Sequence, residues 1–386
     1  MIDVLTRRAL LARLDKSTHG YLRLTTPEGR AHDFGGAHPR PQAAITLHDW
    51  AAARDWAARG DIGFADTYRA GRWDTPDLEA VAAFFLANDA ALGGAVTGRW
   101  LARAGSILAH ALRPNTRRGA QRNIPAHYDL GNDFYAQWLD PTMTYSAGIF
   151  TRAGESLDAA QARKYDRILE RTGITSGRVL EVGCGWGGFA DRATERGDYA
   201  LTGITLSPAQ AAYARTRLGD RADIALTDYR EQGGRWDAIV SIEMFEAVGA
   251  RYWPTYFQKL ASLLRRGGRA VVQTITIRER DFWDYRCNTD FIRHYIFPGG
   301  MLPSAARFEA EAHKAGLAVR DRFAFGQGYA CTLRAWLARF DAAAPALEGM
   351  GFDAPFQRLW RFYLAACAAG FAAGRTDVMQ VEMAHA

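Results

Sequence analysis

Val179-Leu180-Glu181-Val182-Gly183-Cys184-Gly185-Trp186-Gly187-Gly188 is the stretch on which the fold turns. A short run, apolar but for one acid, breaks abruptly into glycines, which reads as a buried strand feeding a tight turn. The hydrophobic period then alternates in a regular way. Residues 155–171, 187–196, 208–218 and 252–264 have helical spacing, while 178–182, 200–204, 223–227, 236–242 and 269–275 read as strands. Strands separated by helices of this length predict an α/β fold, a mostly parallel, doubly wound, Rossmann-like sheet covered on both faces. Ligands of such sheets bind beyond the carboxyl ends of the strands, so the loop after each strand is where chemistry is expected.

Glycines 183, 185 and 188 satisfy the spacing of a dinucleotide loop, a weak signal by itself. Three residues tilt the reading elsewhere. Glu181 places a carboxylate two residues before the first glycine, where a pyrophosphate is repelled. Trp186 fills the loop where a dinucleotide needs room. The second strand ends Gly203-Ile204-Thr205-Leu206-Ser207, without the acid that takes a ribose in dinucleotide sites. A ligand with an ammonium group and no phosphate suits Glu181 better, and S-adenosylmethionine is such a ligand. The run Glu181-x-Gly183-x-Gly185-x-Gly187 resembles the signature of class I S-adenosylmethionine-dependent methyltransferases. The competing reading is a tight turn with no ligand.

Composition narrows the class. Of 386 residues, 48% are hydrophobic and 23% charged, a globular balance that excludes disorder, collagen and coiled coil. Cys184, Cys287, Cys331 and Cys367 lie far apart, against a zinc ribbon or disulfide scaffold and in favour of a reducing, cytoplasmic compartment. The opening residues do not read as a signal peptide. No window reaches about 18 uncharged apolar residues, so a spanning protein is not expected. Basic groups outnumber acidic ones 48 to 42, a net +6. Arg113, Arg117, Arg118 and Arg122 form one basic cluster, read either as a solvated linker or as a surface that docks on phosphates. No zinc finger or RNA-recognition consensus accompanies it, so nucleic acid is not the expected partner. The sequence then divides into a small α+β unit over 1–112, a basic linker over 113–122 and the sheet domain over 123–386. In the small unit, 21–25 reads as a strand and 47–59 and 75–91 as helices.

Five further segments act together: Asn123-Ile-Pro-Ala-His-Tyr-Asp-Leu-Gly-Asn-Asp-Phe-Tyr135, Asp140-Pro-Thr-Met-Thr-Tyr-Ser146, Thr205-Leu-Ser-Pro-Ala-Gln210, Ser241-Ile-Glu-Met-Phe-Glu-Ala-Val-Gly249 and Tyr295-Ile-Phe-Pro-Gly-Gly-Met-Leu-Pro-Ser304. In this order they resemble the cyclopropane-fatty-acyl-phospholipid synthase and mycolic acid cyclopropane synthase family over roughly residues 120–380. The small unit, at 63–73 especially, resembles that of the bacterial phospholipid enzymes. The resemblance implies methyl transfer from S-adenosylmethionine to the double bond of an unsaturated phospholipid acyl chain. It implies peripheral contact with the inner face of the membrane, and it leaves room for a homodimer. The cation formed on the acyl group calls for a dry site rich in aromatic faces and carboxylates, and 11 Trp, 15 Tyr and 20 Phe supply the aromatic part.

By the same resemblance Tyr145, Ser146, Glu181, Gly183, Gly185 and Gly187 contact the cofactor. Thr205, Leu206 and Gln210 hold its ribose region, and Tyr229 and Arg230 flank its adenine. Glu246 and Tyr329 fall at catalytic positions, although Tyr329 also reads as an ordinary strand tyrosine. His127 either reacts or orders a lid, and Cys367, on an apolar helix, reads as core packing. The family's base is a bicarbonate ion held by a Cys, a Glu, a His, a Tyr and a backbone group. Here Ala147 stands at the Cys position, Gln273 at the His position, and Ala247 at the histidine that follows the Glu. Glu246, Tyr329 and the backbone of Ile275 remain, and Gln273 can donate a hydrogen bond but cannot move a proton. Three readings stay open. The remnant binds bicarbonate weakly; or Glu246 or Glu243 is itself the base, its pKa raised by burial; or the cation loses a proton from the acyl chain. The last gives a methyl- or methylene-branched product, or a furan precursor, in place of a ring. Two other readings are methylation of a small soluble metabolite and a lipid-binding relative without activity. Lipid dependence of turnover separates the first, and binding of labelled cofactor the second.

Overall fold

The computed structural model describes residues 2–36, 42–93 and 130–386. The arginine cluster at 113–122 and His127 lie outside the described residues. Contacts divide the protein into two compact units that are not continuous in sequence. One draws on 1–113, 283–298 and 336–375, the other on 114–282, 299–335 and 376–386.

The first unit carries a four-stranded sheet of order β2-β1-β3-β4, with β1 Tyr21–Thr25, β2 Ala31–Gly35, β3 Gln42–Leu47 and β4 Trp73–Asp74. β1 pairs antiparallel with β2 and parallel with β3. The sequence reading of a helix over 47–59 is corrected: Ala43, Ile45 and Leu47 alternate inward as a strand, and the helix runs Ala51–Arg69. That helix is broken at Gly60, whose φ of 57° only glycine takes up at little cost. The helix expected over 75–91 is shorter, Leu78–Ala87, set at its start by the Asp77 side chain accepting from the Ala80 N–H at 2.9 Å. Helix Ala354–Ala372, far along the sequence, packs on both of these. Its Arg358 lies 3.9 Å over the Tyr68 ring and donates to the carbonyls of Tyr68 and Trp73 at 2.6 and 2.9 Å.

The second unit is the doubly wound sheet. Its strands are β5 Ser176–Val182, β6 Asp198–Thr205, β7 Asp223–Leu226, β8 Trp236–Ile242, β9 Leu264–Ile277, β10 Leu317–Ala324 and β11 Thr376–His385, in the order β10-β11-β9-β8-β5-β6-β7. Neighbours among β5 to β9 are parallel, and β11 runs antiparallel between β9 and β10. The backbone winds outward from β5 to β6 and β7, then returns to the other side of β5 as β8. That reversal opens a crevice at the carboxyl ends of β5 and β8. Val179, Phe189, Leu201, Val240 and Val271 form the core beneath it. Among the described residues no helix is long and apolar enough to cross a membrane.

Candidate active site

Gly183 and Gly185, with φ of 83° and 53°, turn the backbone sharply off β5. The turn leaves a cleft of about 160 Å³ whose walls include Glu181, Gly183, Gly185, Trp186, Thr205, Leu206, Gln210, Tyr229, Tyr145 and Ser146. Trp186 donates through Nε1 to Asn132 Oδ1 at 2.8 Å and packs on Tyr135, so the end of the 123–135 motif is folded onto the glycine loop. At the tip of β6, Thr205 Oγ1 donates to Gln210 Oε1 at 3.0 Å and accepts from the Ser207 N–H at 3.2 Å. The Ser207 side chain in turn starts helix Pro208–Leu218. Local capping thus fixes the wall that a ribose would meet.

Glu181 is buried at the floor of this cleft, and its Oε2 has no hydrogen-bond partner. Burial pushes its carboxyl up to about 8, with Lys164 pulling it back down. An unpartnered buried carboxylate oxygen costs free energy until a donor reaches it. The ammonium group of S-adenosylmethionine is such a donor, and the room at Gly185, where an added Cβ would meet nothing within 4 Å, suits its approach. The residues present fit that cofactor.

Two expected contacts are placed otherwise. Gly187 lies at the start of helix Gly188–Arg196 and faces Leu218 and Ala214, at 3.1 and 3.2 Å from an added Cβ, away from the cleft. Arg230 spends its guanidinium on Asp228, at 2.9 and 2.5 Å, and stands beside the Tyr229 ring rather than in the cleft wall.

On the wall of the same cleft, segments far apart in sequence converge on one carboxylate. Glu243 Oε1 accepts from the Ala147 N–H at 2.9 Å and from Gln273 Nε2 at 2.8 Å, and Oε2 accepts from the Tyr329 hydroxyl at 2.8 Å. Tyr329 is on helix Gly326–Ala342, which corrects the strand reading. Glu243 itself has φ 50°, a left-handed conformation that costs a non-glycine residue roughly 1–2 kcal/mol. Its N–H donates to the Gln273 carbonyl at 2.8 Å, and the three bonds to its carboxylate over-determine the strained pose. Glu246 is held separately: its Oε1 accepts from the Ile275 N–H at 2.5 Å and from Thr274 Oγ1 at 3.0 Å, and its Oε2 is buried without a partner. Burial and then the repulsion of Glu243 push Glu246 up to about 8. Burial raises Glu243 too, but its donors and Lys164 favour the ionised form. Of the two, Glu243 has the more donors around its carboxylate and Lys164 beside it, so it is the member of the pair that more readily carries the negative charge.

Lys164, which the sequence reading missed, is fully buried and donates to Ser146 Oγ at 2.6 Å. Burial lowers it to about 7, and Glu243, Asp140 and Glu181 draw it back up. Its charge is therefore felt by Glu181 in the cofactor cleft and by Glu243 at once. A signal was available: Leu157, Ala160, Lys164 and Ile168 share one helical stripe, which puts a lysine on the buried face.

The family model of mycolic acid cyclopropane synthetase matches residues 115–381. The tuberculostearic acid methyltransferase UfaA1 of Mycobacterium tuberculosis is 39% identical over 379 residues, covering 94% of this protein and 88% of its own length. The cyclopropane-fatty-acyl-phospholipid synthase of Escherichia coli is 38% identical over 66% of this protein and 65% of its own length. Among solved structures, mycolic acid cyclopropane synthase CmaA1 complexed with SAH and CTAB superposes with a TM-score of 0.64 at 31% identity, over 71% of this protein and 99% of that one.

Proposed function

We propose a function from one premise: this protein belongs to the mycolic acid cyclopropane synthetase family. It is an S-adenosylmethionine-dependent methyltransferase acting on the double bond of an unsaturated fatty acyl chain. Bound along Glu181, Gly183 and Gly185, S-adenosylmethionine supplies an electron-poor methyl group. The π electrons of the acyl double bond form the new carbon–carbon bond, leaving positive charge on the adjacent acyl carbon. The protein's part is to keep that charge dry, to balance it and to take one proton.

The seat of Glu243 carries the reading. Its carboxylate is held by the backbone at Ala147, by Gln273 and by Tyr329, the positions at which the family resemblance puts the grip on bicarbonate. A tethered carboxylate at this place is the base, and an added ion is not required. Unlike a free ion, it is fixed on one side of the substrate, and an acyl C–H aimed at it loses its proton. The C–H electron pair then forms a new double bond in the acyl chain, giving a methyl-branched olefin in place of a ring. A methylene branch forms instead when the hydrogen of the methyl-bearing carbon first shifts with its electron pair to the cationic carbon and the proton then leaves the new methyl group. The match to a tuberculostearic acid methyltransferase over nearly the whole length supports branching.

Incubation with liposomes of mono- and di-unsaturated phospholipids and methyl-labelled S-adenosylmethionine tests this. Labelled acyl chains heavier by one CH₂ are expected, with NMR signals of olefinic rather than cyclopropane protons. A cyclopropane as the sole product overturns branching, and label found only in soluble metabolites overturns the lipid reading.

The acyl chain is that of a phospholipid in this reading, and the protein reaches it by peripheral contact with an anionic membrane. The motive is the cluster Arg113, Arg117, Arg118 and Arg122. Each basic group at such a surface contributes about 1 kcal/mol, so replacing Arg113, Arg117 and Arg118 with Ala is expected to weaken vesicle binding roughly a hundredfold. Equal co-sedimentation of both proteins with anionic vesicles would count against it.

A further inference from the structure

Gln273 and Gln380 lie opposite each other on β9 and β11, both fully buried. An amide can present its oxygen or its nitrogen to a neighbour, and only one choice at Gln273 offers Glu243 a donor. A relay of hydrogen bonds decides which. Arg167, on helix Leu157–Thr172, is held by Asp321 at 2.5 Å and by the Phe323 ring at 4.5 Å. It donates through Nη1 to Gln380 Oε1 at 2.8 Å. A guanidinium has no acceptor, so Gln380 must turn its oxygen toward Arg167. The Gln380 nitrogen then donates to Gln273 Oε1 at 3.0 Å and to the Lys164 carbonyl at 3.4 Å. With its oxygen taken, Gln273 is left to donate through Nε2 to Glu243 Oε1 at 2.8 Å and to the Ala147 carbonyl at 3.4 Å. Turning either amide over would set donor against donor at one end and oxygen against oxygen at the other.

We infer that Arg167 and Gln380 are positioning residues, which lock the Gln273 amide so that its N–H, and not its oxygen, faces the Glu243 carboxylate. The inference rests on the reading of Glu243 as the base. An anchored donor keeps Glu243 ionised and aims its free lone pairs at the substrate; an oxygen in that place would favour the protonated, inactive form. The other groups facing Glu243 are Lys164 from helix Leu157–Thr172, Tyr329 from helix Gly326–Ala342, the Ala147 N–H, and Glu246 from its own loop. Lys164 also answers to Asp140 and Glu181. None of these bonds to the Gln273 oxygen, so among the described residues Gln380 sets the amide's direction.

The test is Gln380→Met in the full-length protein. It removes the anchor without changing charge. A base works only when ionised, so a weakened donor moves the acid limb of the turnover–pH profile upward, by roughly one pH unit for a lost bond to a carboxylate. Cofactor affinity by calorimetry is expected to stay as it is. An unmoved profile in Gln380→Met, with Glu243→Gln inactive, overturns the positioning role and leaves Glu243 as the base. Full turnover of Glu243→Gln removes the base reading itself. Should Gln380→Met not fold, isotope-edited NMR of the native protein decides: the Gln273 amide protons must shift as Glu243 titrates, and their indifference to pH overturns the inference.

Discussion

Replacing Glu243 with Gln is expected to lower turnover by roughly 2–4 orders of magnitude, the size of a lost acid–base group. Cofactor affinity should fall far less than turnover, because Glu181 offers its unpartnered oxygen to the cofactor's ammonium group while Glu243, which lines the same cleft, is replaced by its isosteric amide. The amide is isosteric, keeps its oxygen for the Ala147 N–H and Gln273 Nε2 and turns its NH₂ to the Tyr329 hydroxyl oxygen, but it accepts no proton and cannot balance a cation. In the native enzyme burial raises the Glu243 carboxyl. Activity therefore falls as pH drops through that raised value and is retained above it. Turnover should be indifferent to added or depleted bicarbonate, since the base is covalently part of the protein. Glu246→Gln makes the contrast. Glu246, pushed up to about 8, is already protonated at neutral pH, and glutamine mimics that form. Its loss should therefore be far smaller. Steady-state rates at controlled carbonate, with calorimetry beside them, read all of this. A native enzyme that stalls without bicarbonate would sink the tethered-base mechanism.

Gly185→Val should abolish S-adenosylmethionine binding while the protein stays folded. The residue has φ 53°, and an added Cβ meets nothing within 4 Å, so the valine methyls enter open space in the cleft wall instead of colliding with protein. A branched residue in this conformation strains the backbone by roughly 1–2 kcal/mol, well inside the stability of a domain. Gly185→Ala separates strain from obstruction: it carries a similar backbone cost with less bulk and should lose affinity by a smaller factor. Calorimetric titration checks affinity, and thermal unfolding checks the fold. Unchanged affinity in Gly185→Val would mean that the cofactor does not lie along this loop.

The glycine loop and the parallel sheet were legible because their causes are short-range. An apolar run at Val179–Val182 breaking into Gly183 and Gly185 needs only its own residues to turn, and Ser207 caps the helix that begins one residue later. The small unit was less legible. The strand Gln42–Leu47 went unread and its last residue was taken as the start of a helix over 47–59, although the helix begins at Ala51 and continues past Gly60 to Arg69. Helix Ala354–Ala372 joins that unit from the far end of the sequence, and no local pattern announces such a partner.

By itself the sequence determined a doubly wound sheet, a loop suited to S-adenosylmethionine, and the loss of Cys and His at Ala147 and Gln273. These follow from residue identity, periodicity and the backbone freedom of glycine, which act within a few residues. What sets the two carboxylates apart was decided only by tertiary structure. Glu243 and Glu246 look alike three residues apart, yet Ala147, Lys164, Gln273 and Tyr329 converge on Glu243, while Ile275 and Thr274 hold Glu246 with one oxygen unpartnered. Protonation of a buried acid depends on desolvation and on charges within a few ångströms, and those neighbours are assembled from segments far apart in the sequence.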